Sequence, residues 1–202
     1  MEQLRRRASL EQRTLHRAWR LCGALLQSRN VRCNVLSARW LLDTAQAARV
    51  LVLDLDVHQG NGTAALLADE PHVLTVSVHA EHNYPFRKAR SRLDVPLPDG
   101  TGDAAYLAAL AQQVAPVVTA FAPDFAFYLA GADVLAGDQL GRLALNLAGV
   151  RARDRRAFRW AARTRTPLVT VLAGGDHRDP ATLIQARLNT IDEALAALTA
   201  TR

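Results

Sequence analysis

Residues Arg49 to Val57 read Arg-Val-Leu-Val-Leu-Asp-Leu-Asp-Val and run on into His58-Gln59-Gly60-Asn61-Gly62. An apolar, β-branched run of strand length bounded by glycines predicts a strand buried on both faces. Thr63 to Asp69 then supplies a short helix, completing one βα unit. The alternation repeats outward from there. Val73 to Val78, Asp124 to Ala130 and Pro167 to Leu172 read as three further strands. Helices are expected over Gly102 to Ala120, Arg151 to Arg163 and Pro180 to Leu198, with Pro116 kinking the first or ending it early. The region between the second strand and the turn Pro98-Asp99-Gly100 reads as a loop. Continuous apolar strands alternating with helices predict an α/β fold, a mainly parallel sheet with helices on both faces.

The chain has 202 residues, half of them hydrophobic, which suits a domain with a substantial core. No apolar run is read as approaching the roughly 18 to 20 residues that cross a bilayer, so no membrane partner is expected. Cys22 and Cys33 are too few for a disulfide framework, and a reducing cytoplasm is the expected location. The formal charge of +6 is concentrated at one end: the first 40 residues hold nine arginines against Glu2 and Glu11. A basic tail can touch phosphates. Its simpler reading is a solvated helix face or a poorly ordered arm, because Leu15, Trp19, Cys22 and Leu26 mark an amphipathic helix within Leu10 to Gln27. Nucleic acid is therefore not expected as a partner. Residues 1–45 are expected to form a basic helical segment and residues 46–202 the α/β domain.

Ligands of parallel sheets sit beyond the carboxyl ends of the strands. All four expected strands run out there into polar or glycine residues: Asp54, Asp56 and His58; Ser77 and His79; Asp133; and Gly174 with Gly175. In an extended strand Asp54, Asp56 and His58 would point the same way. Two carboxylates on one face at a buried strand end repel each other, and a cation is the simplest compensation. Carboxylate oxygen and imidazole nitrogen suit zinc or ferrous iron, and Asp133 can supply a third ligand while leaving a position open. The bland alternative is that Asp54 and Asp56 cap the following turn and His58 is an ordinary surface imidazole.

The longer string Asp54-Leu55-Asp56-Val57-His58-Gln59-Gly60-Asn61-Gly62-Thr63 resembles the metal-binding signature of the histone deacetylase and acetoin-utilization family, particularly its bacterial and class IV-like members. Thr75 to His79, Asp94 to Pro98, Gly131 to Asp138 and Leu172 to Gly175 continue the resemblance in order, over roughly residues 34 to 195. It implies a partial arginase/deacetylase-like fold and a Zn²⁺ (or Fe²⁺) held by Asp56, His58 and Asp133. It also implies a structural K⁺ near Asp54, Asp56, His58, Ser77 and Val78, and a substrate channel lined by Tyr84, Pro85, Phe86, Gly174 and Gly175. The implied substrate is an acetylated small amine or an acetyl-lysine protein. Tyr106 is assigned to packing, and His16, His72 and His82 to the surface.

Two departures qualify that implication. Family members place paired histidines, acting as general base and acid, ahead of the first zinc strand, and this sequence contains no adjacent His-His. The chain therefore reads as N-terminally incomplete relative to the family. Where the family has a tyrosine after Gly-Gly, Asp176 stands, and a carboxylate repels a developing oxyanion. Gln59 cannot accept a proton near neutral pH, and His177 is a candidate donor to the oxyanion in place of the tyrosine. The expectation is a zinc-dependent deacetylase-like hydrolase with impaired catalysis. The alternative is an inactive pseudoenzyme or gene remnant that keeps a metal-binding scaffold.

Overall fold

A computed structural model describes residues 30–199 of the chain. The expected amphipathic helix of Leu10 to Gln27 and His16 lie outside them. Five strands form one all-parallel sheet in the order β3-β2-β1-β4-β5: β1 (Val50–Asp54), β2 (Val73–Ala80), β3 (Leu93–Leu97), β4 (Phe125–Gly131) and β5 (Leu168–Ala173). Every residue of β1, β2 and β4 is buried, which is why these strands read as mainly apolar runs, with Asp54, Thr75, Ser77 and His79 as buried polar residues among them. Helices α1 (Asn30–Asp43) and α2 (Asn61–Leu66) lie on one face, where Val35, Ala38 and Leu41 meet Val50, Val52, Phe125 and Phe127. The opposite face carries a helical run from Asp103 to Phe121, α5 (Leu147–Thr164) and α6 (Pro180–Thr199).

The sequence reading is corrected at three places. Leu93–Leu97 is a strand rather than part of a loop. Pro96 hides it from a propensity reading, but β3 pairs only with β2, and an edge strand tolerates a missing N–H. The helical run over Asp103 to Phe121 neither ends nor breaks at Pro116. It is divided into α3 (Asp103–Ala109), a π turn (Leu110–Val114) and α4 (Ala115–Phe121). The Ala115 N–H reaches back to the Leu110 carbonyl, a wider turn that carries the helix past a proline unable to donate. This run is also, by length and composition alone, long and apolar enough to cross a membrane, contrary to the sequence reading. One face of it packs on the sheet through Tyr106, Ala109, Leu110, Val114 and Val118.

Local signals fix the helix starts beside the strand ends. Asn146 caps α5 by accepting the Gly149 N–H at 2.9 Å. Asp179 accepts from the N–H groups of Ala181 and Thr182 at 3.1 Å each, with Pro180 opening α6. Because β2 and β3 lie to one side of β1 while β4 and β5 lie to the other, the strand order reverses between β1 and β4. That reversal makes a crevice at their carboxyl ends, the usual ligand position in such sheets.

Candidate metal centre

The β1–β4 ladder runs as far as Asp54 opposite Leu129, with the Leu55 N–H still bonded to the Leu129 carbonyl at 3.1 Å. Beyond it the chain curls instead of staying extended. Asp54 Oδ1 accepts the Asp56 N–H at 3.1 Å, and Asp56 Oδ1 accepts the His58 N–H at 2.9 Å. Side-chain bonds to the backbone two residues on are what turn a strand end into such a bend. The expectation that Asp54, Asp56 and His58 share one strand face is corrected accordingly. Asp56, His58 and Asp133 bring ligand atoms within 4.8 Å of one another, and this group closes without Asp54.

His58 Nδ1 lies 2.9 Å from Asp56 Oδ1 and 3.3 Å from Asp133 Oδ2. Asp133 Oδ1 accepts the Val57 N–H at 2.9 Å, whereas Oδ2 is buried and faces the His58 ring nitrogen. Carboxylates crowded together in a buried site are costly, and a cation between them offsets that cost. Charge spacing shows in the protonation balance. Hydrogen bonds to Asp133 and then Asp56 lift the His58 imidazole to about 10, while burial raises Asp133 to about 6. Burial, reinforced by Asp56, also holds the Asp54 carboxyl well above its usual range.

Two glycines permit the close approach of the carboxylates. A Cβ on Gly131 would fall 2.5 Å from Asp56 Cα and 2.7 Å from Asp133 Oδ1. One on Gly174, which follows β5 with φ +47°, would overlap the Asp133 carboxylate and come 2.5 Å from Asp56 Oδ2. Neither position has room for a side chain. The donor set, the buried Asp133 carboxylate and this side-chain-free cradle fit a divalent ion of the zinc or ferrous class.

The other expected residues divide. Asp54 and Ser77 are register partners on adjoining strands, both buried, with Ser77 Oγ 3.4 Å from the Gly60 nitrogen and 3.0 Å from His79 Nδ1. Val78 is in the core. Tyr84 and Phe86 are exposed and pack edge to face, with ring centroids 6.4 Å apart. Gly175 faces Leu183 and Arg187. His177 is not in the metal group; its Nε2 and Nδ1 lie 3.0 Å from the carbonyl oxygens of Ala136 and Asp179. The side chain of Asp138 accepts the Asp176 N–H at 2.6 Å and those of Leu140 and Gly141 at 2.9 and 2.7 Å, tying the loop after β5 to the loop after β4. Tyr106 is buried in the core, and His72 and His82 are exposed.

Sequence reasoning passed over Gln59 as a structural residue, and Arg153 altogether. The Gln59 amide donates to Ala89 O at 2.8 Å and Asp94 Oδ1 at 2.9 Å and accepts the Ala89 N–H at 2.8 Å, anchoring the loop before β3 to the metal loop. Arg153 is one of several arginines on a charged helix, so nothing in the sequence marked it as buried; it is 1% exposed.

Residues 33–190 match the model of the histone deacetylase domain. An uncharacterized protein of Picosynechococcus sp. is 40% identical over 140 residues, covering 69% of this chain and 47% of its own length. Histone deacetylase 2 of Arabidopsis thaliana is 36% identical over 140 residues, covering 68% of this chain and 36% of its own. The solved structure of the histone deacetylase Clr3 superposes with a TM-score of 0.68 at 26% identity, over 81% of this chain and 30% of that one. The chain thus spans less than half the length of these relatives. With the domain model covering most of the chain and the fold shared with a solved deacetylase, this protein belongs to the histone deacetylase family.

Proposed function

We propose that this chain carries the metal centre of a zinc-dependent deacetylase-type hydrolase acting on acetylated amines, with its turnover impaired. The observation that carries the reading is the convergence of Asp56, His58 and Asp133 at the strand-order reversal, with Asp133 Oδ2 buried beside the His58 ring. A bound zinc would supply Lewis acidity toward an amide carbonyl and the attacking water. Asp56, His58 and Asp133 would hold it, and the Val57 N–H would fix which Asp133 oxygen is free to do so. Ferrous iron fits the same donors. Asp54, Asp56, His58, Ser77 and Val78 would hold a K⁺, which offsets the buried Asp54 charge. Tyr84, Phe86, Gly174 and Gly175 would border the channel for an acetyl-lysine side chain or a small acetylated amine. A cytoplasmic setting agrees with the two cysteines.

Impairment follows from a histidine pair these residues lack and from one side chain they carry. Cleaving the amide C–N bond requires a proton for the departing amine, and these 202 residues contain no adjacent histidine pair to deliver it. Asp176 follows Gly174-Gly175 and offers a carboxylate where a hydroxyl donor is wanted; its backbone N–H is already committed to Asp138. The position of Asp176 also favours the second reading, a pseudoenzyme that binds metal without turnover.

The test is turnover of an acetyl-lysine peptide by the zinc-loaded 202-residue chain, with Asp133→Ala as the control. Slow release that vanishes in the control supports the impaired hydrolase. Zinc binding with no release supports the pseudoenzyme. Failure to bind zinc removes both.

A further inference from the structure

The β1–β4 ladder ends where the metal loops begin, so the carbonyls of Leu55 and Gly131 point into the protein without a neighbouring strand to donate to them. Buried backbone acceptors are nearly always satisfied. Here the donor is one side chain. Arg153 Nη1, from the middle of α5, donates to Leu55 O at 3.1 Å and to Gly131 O at 2.6 Å. Leu55 immediately precedes Asp56, and Gly131 stands two residues before Asp133. One guanidinium nitrogen therefore ties together the two loops that supply all three ligand side chains.

The guanidinium is itself held rigidly. Its Nε donates to Asp154 Oδ1 at 2.8 Å, and Asp154, fully buried, also accepts from the hydroxyls of Tyr128 and of Thr190, the latter at 2.6 Å. Arg153 stands 6.0 Å from the centre of the Tyr128 ring. A buried ion pair gives little net stability, because desolvating two charges cancels most of their attraction. What it provides here is position. Arg187 of α6 repeats the arrangement at the next strand end, donating to the carbonyls of Ala173, at 3.0 Å, and Gly174. Gly174 is the residue whose missing side chain makes room for the Asp133 carboxylate.

We propose that Arg153, anchored by Asp154, is a positioning residue that sets the spacing of the Asp56–His58 and Asp133 loops, with Arg187 doing the same for the Gly174 loop. The proposal rests on the metal-site reading above. Lysine keeps the charge but lacks the planar fork that reaches Asp154 and both carbonyls together. Removing Arg153 and neutralising its partner avoids leaving a bare buried carboxylate, so Arg153→Met with Asp154→Asn is the informative variant, and Arg153→Lys is the conservative one.

The experiment measures zinc dissociation constants by competition with a chelator for the full 202-residue chain. Outer contacts that orient metal ligands are typically worth about 10- to 100-fold in affinity. The double variant is expected to lose at least about tenfold, Arg153→Lys less, and the visible spectrum of the cobalt-loaded protein should shift in both. Val118→Ala, in α4 on the helical face of the core, serves as a control for general destabilisation and should leave zinc affinity unchanged. Should the double variant prove unfolded, Arg153→Lys carries the test alone. Wild-type affinity in a folded Arg153 variant, or an equal loss in Val118→Ala, would overturn the proposal while leaving the metal site standing. Absence of zinc binding in the parent chain would overturn both.

Discussion

His58 Nδ1 stands 3.3 Å from Asp133 Oδ2, although the two residues leave different strands and are separated in the chain by β2, β3, the π-interrupted helix and β4. The contact exists because β1 and β4 are direct neighbours in the sheet. It draws on nothing local to either residue.

Removing one member of this group should abolish stoichiometric zinc binding. Asp133→Ala leaves one carboxylate and one imidazole, too few to hold zinc against water. Calorimetric titration of the purified variant checks this, and unchanged affinity would dismiss Asp133 as a ligand.

Stability should follow metal occupancy. Asp54, Asp56 and Asp133 crowd one sheet end, and an ion bound only by the folded state at a hundredfold excess over its dissociation constant adds about 2.7 kcal/mol. For a chain of this size that is a melting shift of about 5–10 °C. A chelator that leaves the melting curve of zinc-loaded protein in place would mean that the carboxylates share no ion.

Gly174→Ala should weaken zinc binding by about tenfold or more, because the new methyl overlaps the Asp133 carboxylate and φ +47° is strained for alanine. Gly100→Ala is the matched comparison: φ is +75° but nothing lies within 4 Å of the added carbon. It should cost about 1 kcal/mol of stability and leave zinc affinity alone. Equal zinc affinity in the two variants would show that the cradle at Gly174 does not constrain the ligands.

The clasp between α5 and α6 should be sensitive to acid. Hydrogen bonds from Arg155 first, and from Arg151, pull the Glu193 carboxyl down to about 2. A carboxyl lowered in the folded state adds stability that is fully present above its unfolded value of about 4.3 and is lost as pH falls toward 2. Glu193 is buried but both guanidiniums are half exposed, so water screens the pair and Glu193→Gln should cost only about 1–2 kcal/mol at pH 7. Denaturant titrations at pH 7 and pH 3 check this: the gap between parent and variant should narrow at the lower pH, and a constant gap would contradict it.

Asp176→Tyr alone should recover little deacetylation. General acid–base catalysis is worth about 10²- to 10⁴-fold and an oxyanion donor about 10²- to 10³-fold, so restoring the second leaves the larger deficit. Grafting a His-His segment together with Asp176→Tyr should recover much more. Brisk turnover of an acetyl-lysine peptide by the unmodified chain would mean that another residue moves the proton.

The sequence by itself determined the layers of the fold and the chemistry at the strand ends. Strands buried on both faces are mainly apolar, so β1, β2 and β4 were legible as runs, and Asp56, His58 and Asp133 stood out as polar residues where those runs stop. Strand β3 was not legible, because Pro96 is acceptable only at a sheet edge and sequence does not say which strand is the edge. The bend that takes Asp54 out of the ligand group was hidden too, since an aspartate can extend a strand or turn the backbone with its own oxygen. Only the tertiary structure decided that β1 and β4 adjoin, that Gly174 comes against Asp133, and that Arg153, among the many arginines of α5, is the buried one. Those are contacts between elements distant in the chain. Hydrophobic periodicity and side-chain type act over a few residues, whereas the strand order that brings such elements together is set by packing the whole sheet at once.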